Sequence, residues 1–223
     1  MQRFFDILFS GLGLIFLVPL LVPLILILRF TGEGEIFFLQ NRVGLGGHSF
    51  KLYKFATMLK NSPNMGTGTV TLYKDPRILP LGIFLRRSKL NELPQLINIL
   101  KGDMSFIGPR PQTRRCFYAF SDLSQKKIVT VRPGLSGLGS IIFRNEEEMM
   151  QASENADQFY DNIVMQYKGK LEEWYVENQN LWTYFILIWL TIWVVLFSDS
   201  FLIWKVCKDL PQPPEELKKW MNH

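Results

Sequence analysis

The chain has 223 residues, of which 48% are hydrophobic and 20% are charged, and its formal net charge at pH 7 is +5. This length suits one domain with a modest core. Residues 7–28 and 181–197 contain no charged side chain, which excludes a protein whose whole surface is in contact with water. Two distant cysteines, Cys116 and Cys207, exclude a disulfide framework and a Cys-x-x-Cys motif.

The first predicted element is an apolar helix over residues 1–30. Its uncharged run of 22 residues is long enough to cross a bilayer. A cleaved signal peptide is the competing interpretation, but its apolar region would be only about 7–15 residues long and would end at small residues, which residues 29–32 do not provide. Pro19 and Pro23 each remove a backbone donor and favour a bend. From their spacing alone, a straight span and a re-entrant helix both remain open.

The charges after this helix fall into two blocks of opposite sign. Residues 31–132 contain 16 Lys and Arg against 6 Asp and Glu, whereas residues 133–180 contain 3 against 9. A basic block beside an apolar anchor suits the anionic cytoplasmic leaflet and phosphate-rich substrates. Nucleic acid is the alternative partner, but no zinc-ligand spacing or aromatic-interleaved basic motif supports it, so no nucleic-acid partner is expected.

A small β-hairpin is the next predicted element. Residues 36–40 are apolar and aromatic, residues 50–55 alternate with period two, and residues 44–47 supply a glycine-rich turn. Residues 59–75 are polar and are predicted to form a mobile loop that could act as a lid.

The remaining pattern is mainly helical. Residues 81–100 have helical spacing interrupted by Pro94, residues 102–111 read as a loop, and residues 112–131 are again helical in pattern. Residues 145–180 read as an acidic amphipathic helical stretch. Its Glu triple at 146–148 predicts a solvated helix start rather than a metal site.

The last apolar segment, residues 181–197, contains Trp182, Trp189 and Trp193. Tryptophan prefers the membrane interface, and 17 residues are marginal for a crossing. A spanning helix and a helix lying in the interface plane are both open. The proline-rich residues 205–223 are predicted to be a loosely ordered tail.

Two motifs carry the most information. Residues 90–95 read Leu-Asn-Glu-Leu-Pro-Gln, and residues 101–111 read Lys-Gly-Asp-Met-Ser-Phe-Ile-Gly-Pro-Arg-Pro. With the other matching pieces, they closely resemble the bacterial sugar transferase family, the monotopic polyprenyl-phosphate phosphoglycosyl transferases. Those other pieces lie, in order, at residues 40–44 with Gly47 and Phe50, at 54–55, 57–58 and 75–77, and at Gly82, 85–86 and 131–138.

The resemblance implies a two-step reaction. A nucleotide-diphosphate sugar, commonly a UDP-sugar, gives its sugar-1-phosphate to an enzyme carboxylate and releases the nucleoside monophosphate. A polyprenyl phosphate such as undecaprenyl phosphate then takes the sugar-1-phosphate, which initiates synthesis of a surface glycan such as lipopolysaccharide or exopolysaccharide. The implied cofactor is Mg²⁺, and the implied partners are the nucleotide sugar, the polyprenyl phosphate and membrane lipids. Assembly into a homo-oligomer is left open.

The resemblance also implies the fold: an α+β, mostly helical membrane-associated protein with a small β-hairpin and amphipathic interface helices. Residues 1–30 would form a re-entrant helix hairpin in one leaflet of the bacterial inner membrane, with Pro19 at its kink. Residues 31–180 would be the catalytic domain facing the cytoplasm. Residues 181–204 would form a membrane-interface or transmembrane helix, and residues 205–223 the tail.

Arginines are the first candidates for binding the two anionic substrates, because a pyrophosphate site needs positive charge. Arg110 lies between two prolines and Arg132 precedes Pro-Gly, and a guanidinium matches phosphate oxygens with a planar fork. The competing interpretation is surface arginines with incidental prolines. The resemblance implies further phosphate-binding residues, namely Arg86, Lys54, Arg42 and Gln40.

The catalytic position departs from the family pattern. The family's nucleophilic Asp is here Asn91, and a carboxamide cannot form an acyl phosphate in the usual way. Glu92 could be the nucleophile, with Asn91 positioning a phosphate or the metal, or it could be a base for direct attack by the lipid phosphate. The chain could also be an inactive relative, or Asn91 an introduced substitution. Ala56 and Val18 are two further departures, at positions where the family has a basic residue and a serine.

We expect an active transferase in which Glu92 is the nucleophile and Glu92 and Asn91 are the metal ligands. Asp103 is a further catalytic candidate, which either helps to bind Mg²⁺ or orient a lysine, or simply caps the following loop. The alternative function is an inactive membrane scaffold of a glycan-assembly complex, and Asn91 is the residue that separates the two. The sugar selectivity is expected to lie in residues 59–75 and 138–180.

Overall fold

The computed structural model describes residues 1–65, 75–144, 146–151, 155–197 and 201–221. These residues are mostly helical, with two small two-stranded sheets, which confirms the predicted α+β class. The helices are α1 (Gln2–Phe30), α2 (Pro80–Arg87), α3 (Gln95–Lys101), α4 (Arg114–Tyr118), α5 (Asp122–Ile128), α6 (Leu138–Ile142), α7 (Glu146–Gln151), α8 (Ala156–Phe159), α9 (Met165–Glu177), α10 (Leu181–Phe197), α11 (Leu202–Val206) and α12 (Glu215–Met221). The strands are β1 (Phe37–Val43), β2 (Ser49–Phe55), β3 (Ser105–Ile107) and β4 (Gly134–Ser136).

The chain divides into two compact units, and each is described by itself. Unit 1 contains Met1–Phe4, Arg42–Phe50 and Asp103–His223, and unit 2 contains Phe5–Asn41 and Lys51–Gly102. The predicted division at residues 30, 180 and 204 is a different partition, based on membrane contact, and it stays a prediction.

The N-terminal segment forms one helix, α1, of 29 residues with both prolines inside it. Within the described residues, α1 alone is long and apolar enough to cross a membrane, and most of its apolar side chains are exposed. Pro19 and Pro23 cannot donate to the carbonyls of Ile15 and Pro19, so one face of the helix lacks two successive hydrogen bonds. The re-entrant hairpin stays a prediction.

The core of unit 2 forms where the end of α1 meets the hairpin and α2. Leu24 and Leu28 are buried together with Phe55 of β2 and Leu85 of α2. The predicted hairpin is confirmed, with β1 paired to β2 and the glycine-rich turn between them. Pro94 separates a short 3-10 turn at Leu90–Glu92 from α3, so the predicted interruption of the 81–100 helix is also confirmed.

Asn98 joins α3 to β2. This fully buried side chain accepts a hydrogen bond from the Tyr53 N–H at 2.9 Å and donates one to the Lys51 carbonyl at 2.8 Å. It therefore replaces a neighbouring strand at the edge of β2 and fixes the register of the strand against the helix.

The Asp-Pro-Arg motif at residues 75–77 is a buried structural clamp. The Arg77 guanidinium makes a two-point ion pair with Asp75, at 2.8 and 2.5 Å. It also donates to the carbonyls of Ser62 and Met65 at 2.8 and 2.7 Å. The first part of the predicted 59–75 loop is therefore held by buried hydrogen bonds, whereas residues 66–74 lie outside the described residues.

Unit 1 is organised around a parallel pair that the sequence did not predict. β3 pairs with β4 in the register Ser105 to Gly134 and Ile107 to Ser136. The prediction of a loop over residues 102–111 was therefore wrong at β3. β3 has only three residues, which are too few to show the alternating pattern of a strand.

The helices of unit 1 are shorter than the pattern suggested over residues 112–131. The predicted helix is divided into α4 and α5, whose N-caps are Thr113 and Ser121, because side-chain oxygens there satisfy the first free N–H groups of a new helix. Within the described part of the acidic stretch, residues 146–151 and 156–177 are helical as predicted, with a π-helical turn at Tyr160–Val164 before α9.

The C-terminal region contains α10 and a packed tail. α10 buries Tyr184, Leu187 and Leu190 and exposes Trp182 and Trp189, so one apolar face meets the protein and another apolar face is uncovered. Residues 205–223 were predicted to be a loosely ordered tail, which was wrong for the described residues 205–221. Its proline-rich composition concealed three apolar anchors that are buried in the structure, namely Leu210, Leu217 and Met221.

We expect Asn98→Ala to lower the free energy of unfolding by about 1–3 kcal/mol, because it leaves a partly buried N–H and a partly buried carbonyl of β2 without their side-chain partner. Asn64→Ala is the matched control, since it removes an exposed hydrogen bond to Asn61 and should change stability by less than about 0.5 kcal/mol. Thermal or denaturant unfolding in detergent measures both. Equal effects would contradict the role assigned to Asn98.

Candidate functional site

The Asn91–Glu92 segment of unit 2 follows a strained backbone turn. α2 ends at Arg87, and Lys89 takes a left-handed conformation with φ +59°, which costs a non-glycine residue roughly 1–2 kcal/mol. This turn allows a 3-10 turn to start at Leu90 and buries Asn91. Strain of this kind concentrates at functional sites.

Glu92 is held by a lysine from the hairpin. Lys54 of β2 lies 3.4 Å from Glu92 Oε1, and the two side chains are only 18% and 16% exposed. Since Asn98 fixes β2 against α3, the ammonium and the carboxylate are positioned by the same buried contact. The pair keeps a carboxylate beside a positive charge in a largely desolvated place, where electrostatic interactions are strengthened.

Asn91 presents an unsatisfied acceptor. Its Oδ1 is buried and has no hydrogen-bond partner among the described residues. A buried oxygen without a partner needs an explanation, and an absent ligand or ion is one. Asn91 Oδ1 and the Glu92 carboxylate are hard oxygen donors of the kind that Mg²⁺ takes, and Mg²⁺ usually binds one or two carboxylates plus waters and substrate phosphates. The residues present therefore fit this cation.

The other predicted residues of unit 2 are more scattered. Arg86 Nη1 lies 3.8 Å from the sulfur of Met58, Gln40 lies on β1 and Pro19 on α1. A contact that the sequence did not suggest places the Lys101 ammonium 5.4 Å from the centre of the Tyr53 ring.

Unit 1 brings together the two arginine motifs. Gly108, Gly134 and Gly137 meet backbone to backbone, and a Cβ at any of them would collide with the main chain of the opposite segment. The Gly134 N–H donates to the Pro109 carbonyl at 2.9 Å. The close crossing therefore places the segments that carry Arg110 and Arg132 side by side.

Arg42 joins this arrangement from the hairpin. Its Nη1 donates to the Pro111 carbonyl at 3.1 Å, and the N–H of Val43 donates to the Gln112 carbonyl at 2.9 Å. Three predicted phosphate-binding arginines thus belong to segments linked by hydrogen bonds in unit 1. Asp103 lies in the same unit, partly buried after α3, and its predicted role is untested.

Glu172 of α9 is a functional candidate that the sequence reading missed. It is buried, and its carboxylate accepts hydrogen bonds from the backbone N–H groups of Arg110 and Gly139. Burial raises the pKa of Glu172 to about 8, and the hydrogen bonds and the charges of Lys168 and Arg110 only partly oppose this rise. The available signal was its spacing, because Glu172 shares the buried face of α9 with Lys168 and Tyr175.

Lys168 has a structural role in the acidic stretch. It is buried, pairs with Glu146 and lies 4.8 Å from the centre of the Phe143 ring. Glu146 begins α7, which confirms the predicted helix start, but its side chain is paired with Lys168 and only 29% exposed, so the prediction of a solvated side chain is wrong for Glu146. No group of three or more His, Cys, Asp or Glu side chains that could hold a metal occurs among the described residues.

Comparison with known proteins decides the family. The bacterial sugar transferase family matches residues 1–198. The chain belongs to this family. The match includes the Asn91–Glu92 segment, the Lys54 strand and both arginine motifs, so the residues of the candidate site lie inside the region that defines the family.

Curated relatives agree with this assignment. The chain is 31% identical over 201 residues to a UDP-N-acetylgalactosamine-undecaprenyl-phosphate N-acetylgalactosaminephosphotransferase of Aeromonas hydrophila, covering 87% of this chain and 43% of that protein. It is 32% identical to an undecaprenyl-phosphate galactose phosphotransferase of Salmonella typhimurium, covering 90% and 41%. It is 29% identical to the exopolysaccharide production protein ExoY of Rhizobium meliloti, covering 88% and 86%. The chain therefore spans less than half of the first two relatives and most of the third.

The pKa of Glu172 generates a prediction about stability. Since its pKa is about 8 in the fold, well above that of an exposed glutamate, the folded chain retains a proton that the unfolded chain releases. Stability should therefore fall as the pH rises from about 5 to 8, by up to about 1.4 kcal/mol per pH unit. Glu172→Gln should remove this component of the slope, and thermal unfolding across this range measures it.

Glu173→Gln is the matched control, because Glu173 neighbours Glu172 but bonds to Ser124 and Lys127 of α5. It should retain the wild-type slope. Parallel stability curves for the wild type and Glu172→Gln would show that Glu172 does not carry the extra proton.

Proposed function

We propose that this chain transfers a sugar-1-phosphate from a nucleotide-diphosphate sugar, most simply a UDP-sugar, to a polyprenyl phosphate such as undecaprenyl phosphate, and so initiates synthesis of a surface glycan. The observation that carries the proposal is the Lys54–Glu92 pair beside the buried Asn91, in a chain of the bacterial sugar transferase family. The names of the relatives, which specify N-acetylgalactosamine and galactose as transferred groups and undecaprenyl phosphate as acceptor, support it.

Glu92 is the proposed nucleophile. A Glu92 oxygen attacks the phosphorus that bears the sugar, an acyl-phosphate bond forms, and the P–O bond to the nucleoside monophosphate breaks. An oxygen of the polyprenyl phosphate then attacks the same phosphorus, and the Glu92 carboxylate leaves unchanged. Lys54 holds Glu92 in place before attack. Two steps at one carboxylate are the ordinary logic of covalent catalysis.

The remaining residues stabilise charge. Arg110, Arg132 and Arg42 are proposed to bind phosphate oxygens, since their segments are linked in unit 1. Arg86, Gln40 and Asp103 have assigned roles only through the family motif. Mg²⁺, held by Asn91 Oδ1 and the Glu92 carboxylate, would neutralise phosphate charge.

The proposed location is the bacterial inner membrane, with the catalytic residues on the cytoplasmic side. Two features support it, namely the exposed apolar surface of α1 and the uncovered aromatic face of α10. We propose that α1 is re-entrant with its kink at Pro19, which keeps both of its ends on one side of the bilayer.

Asn91→Asp tests whether a carboxylate is missing from position 91. If Glu92 is the nucleophile, the substitution should change the rate of nucleoside monophosphate release by less than about tenfold. The assay uses the full chain in detergent with undecaprenyl phosphate, Mg²⁺ and UDP-N-acetylgalactosamine, UDP-galactose or UDP-glucose. Asn64→Asp adds the same charge at an exposed position and controls for it. A gain of about 10²-fold or more, equivalent to about 2.7 kcal/mol, would contradict the Glu92 mechanism.

The covalent intermediate gives a second test. Incubation with the sugar nucleotide and no acceptor should add the mass of one sugar-phosphate group to the intact chain, and Glu92→Gln should abolish the addition. Cleavage after Lys89 and Lys101 releases residues 90–101, in which Glu92 is the only side-chain carboxylate. An active preparation whose 90–101 peptide stays unmodified would rule out Glu92 as the nucleophile.

Asn91 favours one other function, a membrane scaffold that binds substrates without turnover. The release assay separates the two. Absence of nucleoside monophosphate from every sugar nucleotide tested, together with retained binding of one of them, would favour the scaffold.

A further inference from the structure

The loop that carries Arg110 has a single backbone donor. Pro109 and Pro111 have no N–H group, so within residues 109–111 the only N–H belongs to Arg110. The carbonyls around it have partners in other segments, because Gly134 donates to Pro109 and Arg42 donates to Pro111. The orientation of the loop therefore depends on what receives the N–H of Arg110.

Glu172 receives it. The side chain is 3% exposed, and its carboxylate accepts from the N–H of Arg110 and from that of Gly139 at the start of α6. Oε2 has no partner among the described residues. This carboxyl group connects the loop to the start of α6, although it lies 62 positions along the chain from Arg110. Burying a carboxyl group costs free energy, which the two hydrogen bonds offset.

The carboxyl group of Glu172 leaves no room for a side chain at Gly139. A Cβ at position 139 would lie 2.6 Å from Glu172 Oε1, closer than atoms can approach without a shift. Any side chain at this position would displace the carboxyl group of Glu172 from Arg110. The contact can therefore be disrupted from either partner, by removing the acceptor or by adding a methyl group opposite it.

We propose that Glu172 is a positioning residue for phosphate recognition: by holding the N–H of Arg110 it sets the direction in which the guanidinium meets the diphosphate of the substrate. This inference rests on the phosphate-binding role proposed for Arg110. Glu172 itself touches no reacting atom in this scheme. The charged groups that face it are Arg110 and Lys168, and Lys168 is in turn paired with Glu146.

Hydrogen exchange of the full chain in detergent, without substrate, reads the contact directly. The flanking prolines have no amide hydrogens, so a peptide of residues 108–111 contains the Arg110 amide as its only backbone amide hydrogen. Glu172→Leu and Gly139→Ala should each accelerate its exchange about tenfold or more. Glu172→Gln retains an acceptor of the same shape and should stay within about threefold of wild type, as should the Glu173→Gln control.

Binding of inorganic pyrophosphate and the kinetics of transfer test whether loss of this contact weakens phosphate recognition. Glu172→Leu and Gly139→Ala should weaken pyrophosphate binding about tenfold and raise KM for the sugar nucleotide similarly, with kcat changed less than about threefold. Glu172→Gln should keep the wild-type affinity for pyrophosphate and the wild-type KM. Unfolding curves are measured for Gly139→Ala and Glu172→Gln as well, so that the test can still be read if Glu172→Leu does not fold.

Each outcome bears on one claim. Unchanged Arg110 exchange in Glu172→Leu and Gly139→Ala would overturn the contact. Faster exchange with unchanged pyrophosphate binding would overturn the positioning role. A wild-type chain that binds pyrophosphate through this contact but transfers no sugar phosphate would overturn the proposed function alone, because neither exchange nor binding requires turnover.

Discussion

The backbone crossing of Gly108 with Gly134 and Gly137 is the constraint on which the arginine segments depend. Side chains cannot occupy this contact, because the main chains of the two segments touch. The short parallel pair β3–β4 is held together here, and the Pro-Arg-Pro loop and the Arg132 turn leave it at adjacent points. Glycine is required for this approach because it has no Cβ, and each loss of a glycine would separate two segments rather than perturb one.

The second organising contact is in unit 2, where one amide serves two purposes. Asn98 satisfies the edge of β2 and thereby positions Lys54 relative to Glu92. The strained turn at Lys89 then places Asn91 in a buried position next to Glu92. Position 91, where the family resemblance implies a nucleophilic Asp, carries an amide in this chain. The neighbouring carboxylate, Glu92, is the one that the fold holds beside a positive charge.

Much of this architecture could be predicted from local signals, and the failures have physical reasons. The hairpin and the break at Pro94 are determined by residues that are close together in the sequence, so the sequence pattern predicted them. β3 could not be predicted, because a three-residue strand is stabilised by its distant partner β4 and has no period of its own. The tail was misjudged because its prolines concealed buried apolar anchors. Glu172 was overlooked because its partner is a backbone N–H, which no side-chain motif records.

The Pro-Arg-Pro loop also has a consequence for the entropy of binding. Two proline rings fix φ on both sides of Arg110, and the hydrogen bonds to Gly134, Arg42 and Glu172 hold the rest of the backbone. The conformational freedom that a flexible loop would lose when it closes on an anion, roughly 1–2 kcal/mol for each ordered residue, is here lost during folding. If Arg110 binds a diphosphate as proposed, its backbone is already ordered before the anion arrives.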